Sequence, residues 1–305
     1  MFNKIKQIIL NRNAILVLAV VAGIAIGDNA AHIKFLAFPA LALTMTFSMT
    51  GIQTSHLRDY KHIYKPILAG ILLNYILFTA VILVLAWWLM PTPELFYGFV
   101  VIAAAPPGVA IIPFSYILKG DAIYAIISVV SAFLASIFIA PIFVRIFAST
   151  TGVNSTDLFI MMLQLVVVPL IISRLLLWKK IYTRFIVPIR GKVVDYGFAL
   201  LIFIAVGLNR EVFFSSPDIL LKVGLVILVT IFGLGHLVNY IGTKLKTNQP
   251  ELLTQTMLVG IKSSGFSVFT AITLFGKEAA IPSAVFAVVV LIYLIFLSIK
   301  AKVTK

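Results

Sequence analysis

The sequence predicts an all-α polytopic membrane protein with ten transmembrane helices. Of its 305 residues, 62% are hydrophobic and only 11% are charged, and the mean hydropathy is +1.13. Apolar stretches of helical length follow one another along the chain, separated by short loops. Two of these stretches are interrupted by small or helix-breaking residues, at 105–108 and 262–265. Soluble domains do not have this composition, so the fold class is that of a multi-pass membrane protein.

Ten apolar spans can be read along the chain, most of them close to the about 20 residues that a helix needs to cross a bilayer. The longest polar connection is a basic segment at 179–192, which carries apolar residues between its lysines and arginines. This pattern predicts an interfacial amphipathic linker that joins two halves of the protein. The predicted spans cover residues 14–27, 33–54, 66–90, 96–118, 122–147, 157–178, 194–208, 219–243, 252–275 and 279–299.

The distribution of charge predicts the orientation and the location. The net charge is +14. If the chain crosses the membrane at each predicted span, every second connecting segment lies on the same side, and most of the lysines and arginines fall on one of the two sides. Because cytoplasmic loops are enriched in Lys and Arg, both termini are predicted to be cytoplasmic, in the plasma membrane or a bacterial inner membrane. Short basic loops between apolar spans are not the pattern of a nucleic-acid-binding protein. The predicted partners are the lipid bilayer and a small-molecule substrate.

Several chemistries have no support in the sequence. Cysteine is absent, which excludes disulfides, thiolate catalysis and Cys-ligated metals. No phosphate-binding loop of the GxxxxGK[ST] type is present, and no span contains an Asp or Glu well away from its ends. The four histidines do not have metal-ligand spacing: His32, His56, His62 and His236. We therefore predict no enzyme activity, no cofactor and no metal.

Glycine positions indicate an internal repeat. Gly51 and Gly207 end the second and seventh spans and are 156 residues apart, as are Gly120 and Gly276, which end the fourth and ninth. A repeat of five helices is odd in number, so its second copy enters the membrane from the opposite side. This is the inverted-repeat plan of many secondary transporters. The predicted units are residues 1–178 (the first repeat and helix six), the linker 179–192, and residues 193–305.

The interruption in the fourth span is predicted to be a binding site. Pro106 and Pro107 remove two backbone donors, and Gly108 tolerates irregular backbone. The helix is expected to restart near Val109, and its counterpart in the ninth span near Phe266. Helix N-termini that meet at the bilayer midplane could hold an anion or an organic carboxylate.

Lys262 is the one ionisable side chain well inside a predicted span. Intramembrane charges are costly and usually face a cavity or a partner. The ammonium could bind a substrate anion, occupy the place of a coupling cation, or carry a proton through the transport cycle. A lysine that snorkels to the interface is the structural alternative, but the span ends are roughly 16 Å away at 1.5 Å per residue.

Other polar residues of the spans are each more typical of helix–helix hydrogen bonds than of ligands, and these include Asn74, Ser115, Ser128, Ser131, Gln164 and Thr254. The predicted substrate- or ion-binding residues are those at the two interruptions together with one glutamine: Pro106, Pro107, Gly108, Val109, Ile111, Ile112, Gln255, Lys262, Ser263, Ser264 and Gly265.

The fourth span resembles that of the bile acid:sodium symporter family. Residues 104–108 read Ala-Ala-Pro-Pro-Gly and residues 116–121 read Tyr-Ile-Leu-Lys-Gly-Asp, similar to the family's APGG and YLAKGD. Weaker matches occur at 47–52, 168–170 and 259–265. The resemblance implies a panel domain of helices 1, 2, 6 and 7, a core domain of helices 3, 4, 5, 8, 9 and 10, and substrate and ion binding where helices four and nine cross.

The family's sodium-binding positions are substituted in this chain. Its Gln and Asn in helix nine correspond to Lys262 and Ser263, and the other positions carry apolar residues: Ile111, Ile112, Ala125, Val129 and Leu258. Hard cations prefer about six oxygen ligands, so the resemblance does not extend to sodium binding. We predict a secondary active transporter that moves a small organic anion by alternating access. Its transport is predicted to be uniport, exchange or proton-linked, with a proton as a candidate coupling ion.

Two alternatives remain at this point. One is a sodium-coupled bile-acid-type symporter with rearranged ion sites. The other is a protein like a cation/proton antiporter, although that mechanism requires an intramembrane carboxylate, which the predicted spans lack. An arsenite-efflux relative would be expected to use a thiol, and the chain has no cysteine.

Overall fold

The computed structural model describes residues 12–51, 63–148, 155–178 and 180–303, and every regular element within these ranges is helical. Some residues used in the sequence predictions lie outside these ranges, among them His56, His62 and Ile52, the last residue of the segment 47–52. So do six of the basic residues used to predict the orientation: Lys4, Lys6, Arg58, Lys61, Lys179 and Lys305.

The first two helices form a nearly continuous apolar stretch. Helix α1 covers Arg12–Ile26 and α2 covers Ala37–Met49, with tight turns between them. Helix α3 covers Tyr64–Leu89 and contains a π-helical turn at Leu72–Leu77. Such turns insert an extra residue into a helix and are frequent at functional sites. The turn lies where α3 passes the interrupted helices.

The predicted fourth span is two half-helices, followed by a long helix. Helix α4 covers Pro93–Ala104 and begins with a Thr92 cap and a proline in its first turn, as helix starts favour. Helix α5 covers Ile111–Ile117. Helix α6 covers Ala122–Phe147, and the Asp121 carboxylate accepts from the backbone N–H of Tyr124 at 2.9 Å to cap it.

The predicted linker and the seventh span form one helix. Helix α7 covers 155–178, and α8 covers Lys180–Leu208. The boundary expected at 194 is therefore wrong, because α8 continues through Pro188 and Gly191. Asp195, which the sequence places at a span end, lies in the middle of α8. The basic composition of 179–192 suggested a connection, although Lys and Arg are good helix formers.

The remaining described residues again include two half-helices followed by a long helix. A short helix, α9, covers Arg210–Ser215, and its Arg210 pairs with Asp28 after α1. Helix α10 covers Pro217–Lys244. The half-helices α11, Gln249–Leu258, and α12, Ser264–Phe275, form the predicted ninth span. Helix α12 ends at Gly276, whose positive φ of 88° suits glycine, and α13 covers Ala280–Val303.

Seven apolar stretches within the described residues are long enough to cross a membrane. They include Ala14–Met49, which contains both α1 and α2, and the apolar half-helices α4 and α12 are shorter. The protein is therefore a helical, multi-pass membrane protein. The seven stretches are Ala14–Met49, Tyr64–Leu89, Ala122–Phe147, Phe159–Trp178, Arg184–Leu208, Pro217–Lys244 and Ala280–Lys300.

Helix α8 packs most extensively against α1 and α2, through small residues. A Cβ atom added to Gly27 would lie 2.5 Å from the Cα of Gly207, and one added to Gly197 would lie 1.9 Å from the Thr44 hydroxyl. Small residues let membrane helices approach closely, which replaces the hydrophobic driving force that is absent between helices in lipid. These three helices thus form one tightly packed unit.

Replacing Gly27 with alanine should destabilise the protein by about 1–3 kcal/mol, as overpacking does, because the new methyl group meets the backbone of Gly207. Thermal unfolding in detergent would measure the change. Gly224→Ala on α10 is the matched control, since no atom lies within 4 Å of a Cβ there. Equal melting temperatures for the two variants would contradict the close approach of α1 and α8.

Candidate functional site at the crossing of two interrupted helices

The two interruptions meet in the interior of the protein. Pro107 and Lys262 form an antiparallel bridge. The N–H of Gly108 donates to the carbonyl oxygen of Ile261 at 2.9 Å, and the N–H of Ser263 donates to that of Pro106 at 2.8 Å. Each interruption therefore supplies the hydrogen-bond partners that the other lacks, which is a requirement for irregular backbone at membrane depth.

The local sequence explains where each half-helix ends. Ala105 is extended, at φ −60° and ψ 145°, as the residue before a proline prefers. Helix α5 restarts at Ile111 rather than at the expected Val109. In the ninth span the interruption is 259–263, and α12 restarts at Ser264 rather than near Phe266. Ser264 and Gly265 thus belong to the first turn of α12, where small residues are well tolerated.

Lys262 is 2% exposed and donates three hydrogen bonds. Its ammonium nitrogen Nζ lies 2.7 Å from the side-chain oxygen of Asn74, 2.8 Å from the carbonyl oxygen of Ala103 and 2.9 Å from that of Ala105. An ammonium has three donors, so all of them are used. The side chain does not snorkel to an interface, and it has no donor left for a substrate anion.

Two of the three acceptors of Lys262, the carbonyl oxygens of Ala103 and Ala105, lie at the end of α4. The last carbonyl groups of a helix have no partner within the helix, and the helix dipole places negative charge there. A half-helix C-terminus that coordinates a cation is a recurring feature of transporter sites. Here the group beside that helix end is a side chain of the protein itself, the Lys262 amine, and the groups around it are carbonyl and amide oxygens.

Two aromatic rings complete the environment of the ammonium. Nζ lies 4.5 Å from the ring centroid of Tyr75 and 5.0 Å from that of Phe78, within the range of cation–π attraction. The Tyr75 hydroxyl donates to the carbonyl oxygen of Ala132 at 2.9 Å, which holds this ring between α3 and α6. Both rings lie on α3 and are buried.

Asn74 links the two halves of the site. From the sequence it was expected to form a helix–helix hydrogen bond and was not among the predicted binding residues. It lies in the π-helical turn of α3. Its oxygen accepts from Lys262, and its side-chain nitrogen Nδ2 donates to the carbonyl oxygen of Leu258 at 3.3 Å. The sequence feature that could have identified it is a single amide side chain in an otherwise apolar span. Its pairing with Lys262 depends on how the helices rotate against each other.

The apolar residues that the sequence predicts to stand at substituted ion positions are all buried, at 5% exposure or less. Ile111 and Ile112 form the first turn of α5, Ala125 and Val129 lie on α6, and Leu258 ends α11. None of these side chains contains an oxygen atom.

Gln255 lies apart from the crossing. Its Nε2 donates to the Tyr124 hydroxyl at 2.9 Å and to Glu251 at 3.0 Å. These contacts tie α11 to the start of α6, and Gln255 is not among the residues that line the two cavities at the crossing.

Two cavities adjoin the crossing and share a wall formed by Val109, Ala110 and Phe198. The small cavity, of about 40 Å³, is lined by Gly108, Val109, Lys262, Ser263 and Ser264 on one side. The large cavity has about 410 Å³ and lies between α5 on one side and α2 and α8 on the other. The small cavity has room for only a few water molecules, whereas the large one can hold an organic solute.

The large cavity contains residues that the sequence analysis did not select. Ser48, Arg190, Asp195 and Phe198 all line it, together with the predicted Val109 and Ile112. Gly265 faces α8, the helix that carries Phe198, since a Cβ added to it would lie 2.7 Å from the Phe198 ring. Arg190 and Asp195 were missed because the sequence placed them in a linker and at a span end.

Interrupted membrane helices that cross beside a solute-sized cavity are typical of one class of protein, the secondary transporters. The sequence model of the sodium bile acid symporter family matches residues 38–216, which is more than half of the chain. The chain therefore belongs to the sodium bile acid symporter family. This confirms the resemblance noted at the fourth span.

A curated relative from Bacillus subtilis (strain 168) is described as an uncharacterized sodium-dependent transporter, YocS. It is 28% identical over 239 residues, which cover 75% of this chain and 72% of the relative. Family membership and this similarity identify the chain as a transporter and not an enzyme, as the sequence predicts.

Proposed function

We propose that this protein moves a small organic solute across the membrane by alternating access, and that the ammonium of Lys262 takes the place of a coupling sodium ion. The observation that carries the proposal is the set of three oxygen atoms around Nζ at the helix crossing. Transport is then sodium-independent, and it proceeds as uniport, exchange or proton-linked movement of the solute.

The geometry around Lys262 supports a substituted ion site. Backbone carbonyl and amide oxygens are the ligands that replace the hydration shell of a monovalent cation in membrane proteins. Here two carbonyl oxygens and one amide oxygen surround a positive charge that is covalently attached to the chain. A free sodium ion at this position would meet a like charge and occupied acceptors. The apolar side chains of Ile111, Ile112 and Leu258 add no oxygen ligands nearby.

Alternating access requires two domains that move relative to each other. We propose a panel domain of α1, α2, α7 and α8 and a core domain of α3–α6 and α10–α13. Helix α8 packs against α1 and α2, and α7 packs against α2, which supports the panel. Helix α4 packs against α6, α12 and α13, which supports the core. Both cavities lie between these two groups of helices.

The proposed fold has ten transmembrane helices in two inverted repeats of five. The half-helices support this, because α4 and α11 carry the same tripeptide, Pro-Glu-Leu, near their starts, at 93–95 and 250–252. These positions are 157 residues apart, as are Gly108 and Gly265. In each case the proline lies in the first helical turn. We place both termini on the cytoplasmic side of a bacterial inner membrane or a plasma membrane, and the charge distribution alone supports this placement.

The YocS relative is described as sodium-dependent, and sodium coupling through rearranged ligands is therefore the main competing function. Solute uptake with and without a sodium gradient separates the two functions. The antiporter alternative now has a candidate carboxylate, Asp195, in the middle of α8. Asp195 lies in the wall of the large cavity and not beside Lys262, which favours a role in contact with the solute.

Alternating access can be tested with single cysteines, since the chain has none of its own. Val109 lines both cavities, so Val109→Cys should react with a membrane-impermeant maleimide from either side of the membrane. Right-side-out and inside-out vesicles would measure this. Asp218→Cys, at the exposed start of α10, should react from one side only. Labelling of Val109→Cys from a single side under all conditions would contradict alternating access.

A further inference from the structure

The large cavity contains a guanidinium group without a partner among the described residues. Arg190 is half-buried on α8 and lines the cavity. Within the described part of the chain, no carboxylate pairs with it and no oxygen accepts a hydrogen bond from it. It packs against Gly51 instead, where an added Cβ would lie 3.3 Å from its Nη1. The glycine at the end of α2 therefore leaves space for the guanidinium beside the cavity.

A second polar group in the same cavity also lacks a partner. Ser48, on α2, is 6% exposed, and its hydroxyl has no hydrogen-bond partner within the described structure. Buried hydroxyls are normally satisfied, and an unsatisfied one costs about 1–3 kcal/mol. The neighbouring Thr44 and Thr46 of α2 bond to backbone carbonyls one turn earlier, whereas Ser48 does not. Its hydroxyl is thus available to a molecule that enters the cavity.

The rest of the wall is mostly apolar, with Val109, Ile112, Pro113, Val187 and Phe198. Asp195 is the carboxylate in this wall, and it already interacts with another group of the protein. A volume of about 410 Å³ is within the range of small-molecule sites, which combine apolar walls with a few polar groups that fix orientation.

We infer that Arg190 and Ser48 bind the carboxylate of a small organic anion whose apolar part occupies the large cavity. A guanidinium presents paired N–H donors that match a carboxylate, and hydrogen bonds to an ionised acceptor are the strong ones. The Ser48 hydroxyl donates to the same carboxylate. Lys262 takes no part, since its three donors are used within the protein. This inference rests on the proposed transport function and assigns the residues that hold the anionic group of its solute.

The test compares carboxylates with their neutral amides. Purified protein in lipid nanodiscs is heated with hexanoate, cyclohexanecarboxylate or benzoate, and with hexanamide, cyclohexanecarboxamide or benzamide, at equal ionic strength. A ligand that binds only the folded state raises the melting temperature. We expect the carboxylates to stabilise the wild type and the amides to have little effect. Arg190→Gln should weaken carboxylate binding at least tenfold, Arg190→Lys less, and Ser48→Ala severalfold.

Arg184→Gln is the matched control, because Arg184 is on the same helix but exposed, and it should bind carboxylates as the wild type does. Equal stabilisation by acids and amides, or carboxylate binding that survives Arg190→Gln, would overturn the inference. So would the absence of stabilisation by every acid in the set. In any of these cases a positive result with Val109→Cys labelling would still support alternating access, so the two proposals fail separately.

Discussion

Replacing Lys262 with methionine is expected to lower the free energy of unfolding by at least about 3 kcal/mol. Methionine has a similar length but no donor, so three buried oxygens would lose their hydrogen bond: those of Asn74, Ala103 and Ala105. Each buried acceptor that is left without a partner costs about 1–3 kcal/mol. The attraction between the charge and the rings of Tyr75 and Phe78 would also be lost.

Thermal or denaturant unfolding of the purified protein measures this effect, with Lys222→Met as the control. Lys222 lies on α10 and is exposed, so its replacement should change stability by no more than about 0.5 kcal/mol. If Lys262→Met were as stable as the control, the lysine would not be the cation that holds the crossing together, and the proposed substitution of an ion would be wrong.

Sodium is expected to have no specific effect on the wild type and to stabilise Lys262→Gln. Glutamine removes the attached charge but supplies an amide oxygen, and it leaves the oxygens of Asn74, Ala103 and Ala105 available to a free cation. The family resemblance also places a glutamine at this position. Binding to the folded state alone stabilises a protein by about 2.7 kcal/mol when the ligand is at a hundredfold excess over Kd, and by more at higher concentration.

The measurement is the melting temperature in sodium chloride against N-methylglucamine chloride at equal ionic strength, followed by solute uptake with and without a sodium gradient. Lys262→Met is the matched variant, because it removes the charge without adding an oxygen, and it should respond less than Lys262→Gln. Sodium-specific stabilisation of the wild type, or uptake by the wild type that requires a sodium gradient, would favour the sodium-coupled alternative instead.

The interruptions and the buried lysine were predictable because both are local features. Two prolines delete donors wherever they occur, and a lysine about a dozen residues from either end of an apolar span must lie deep in the protein. The partners of these groups were not predictable in the same way. Asn74 reaches Lys262 through the rotation of α3 and its π-helical turn, which depends on the packing of helices that are distant in sequence.

The cavity residues of α8 show a different limit. Arg190 lies in the basic segment 179–192, which contains a proline and a glycine, a composition typical of a connection between helices, and Asp195 lies at the start of the predicted span that follows. The structure continues the helix through both residues, and their positions in the cavity wall follow from its length. No sequence pattern distinguishes Ser48 as a cavity residue, since a serine near a helix end usually forms a hydrogen bond with its own backbone.

The hydrogen bonds between the two interruptions have a consequence for biosynthesis. Gly108 and Ile261 are separated by 153 positions along the chain, so a ribosome completes the first interruption long before it makes the second. Until then, the carbonyl group of Pro106 and the N–H of Gly108 have no partner from the nascent chain. Early insertion intermediates should therefore keep this segment near the translocon, an insertase or water, and release it to lipid only after the last helices emerge.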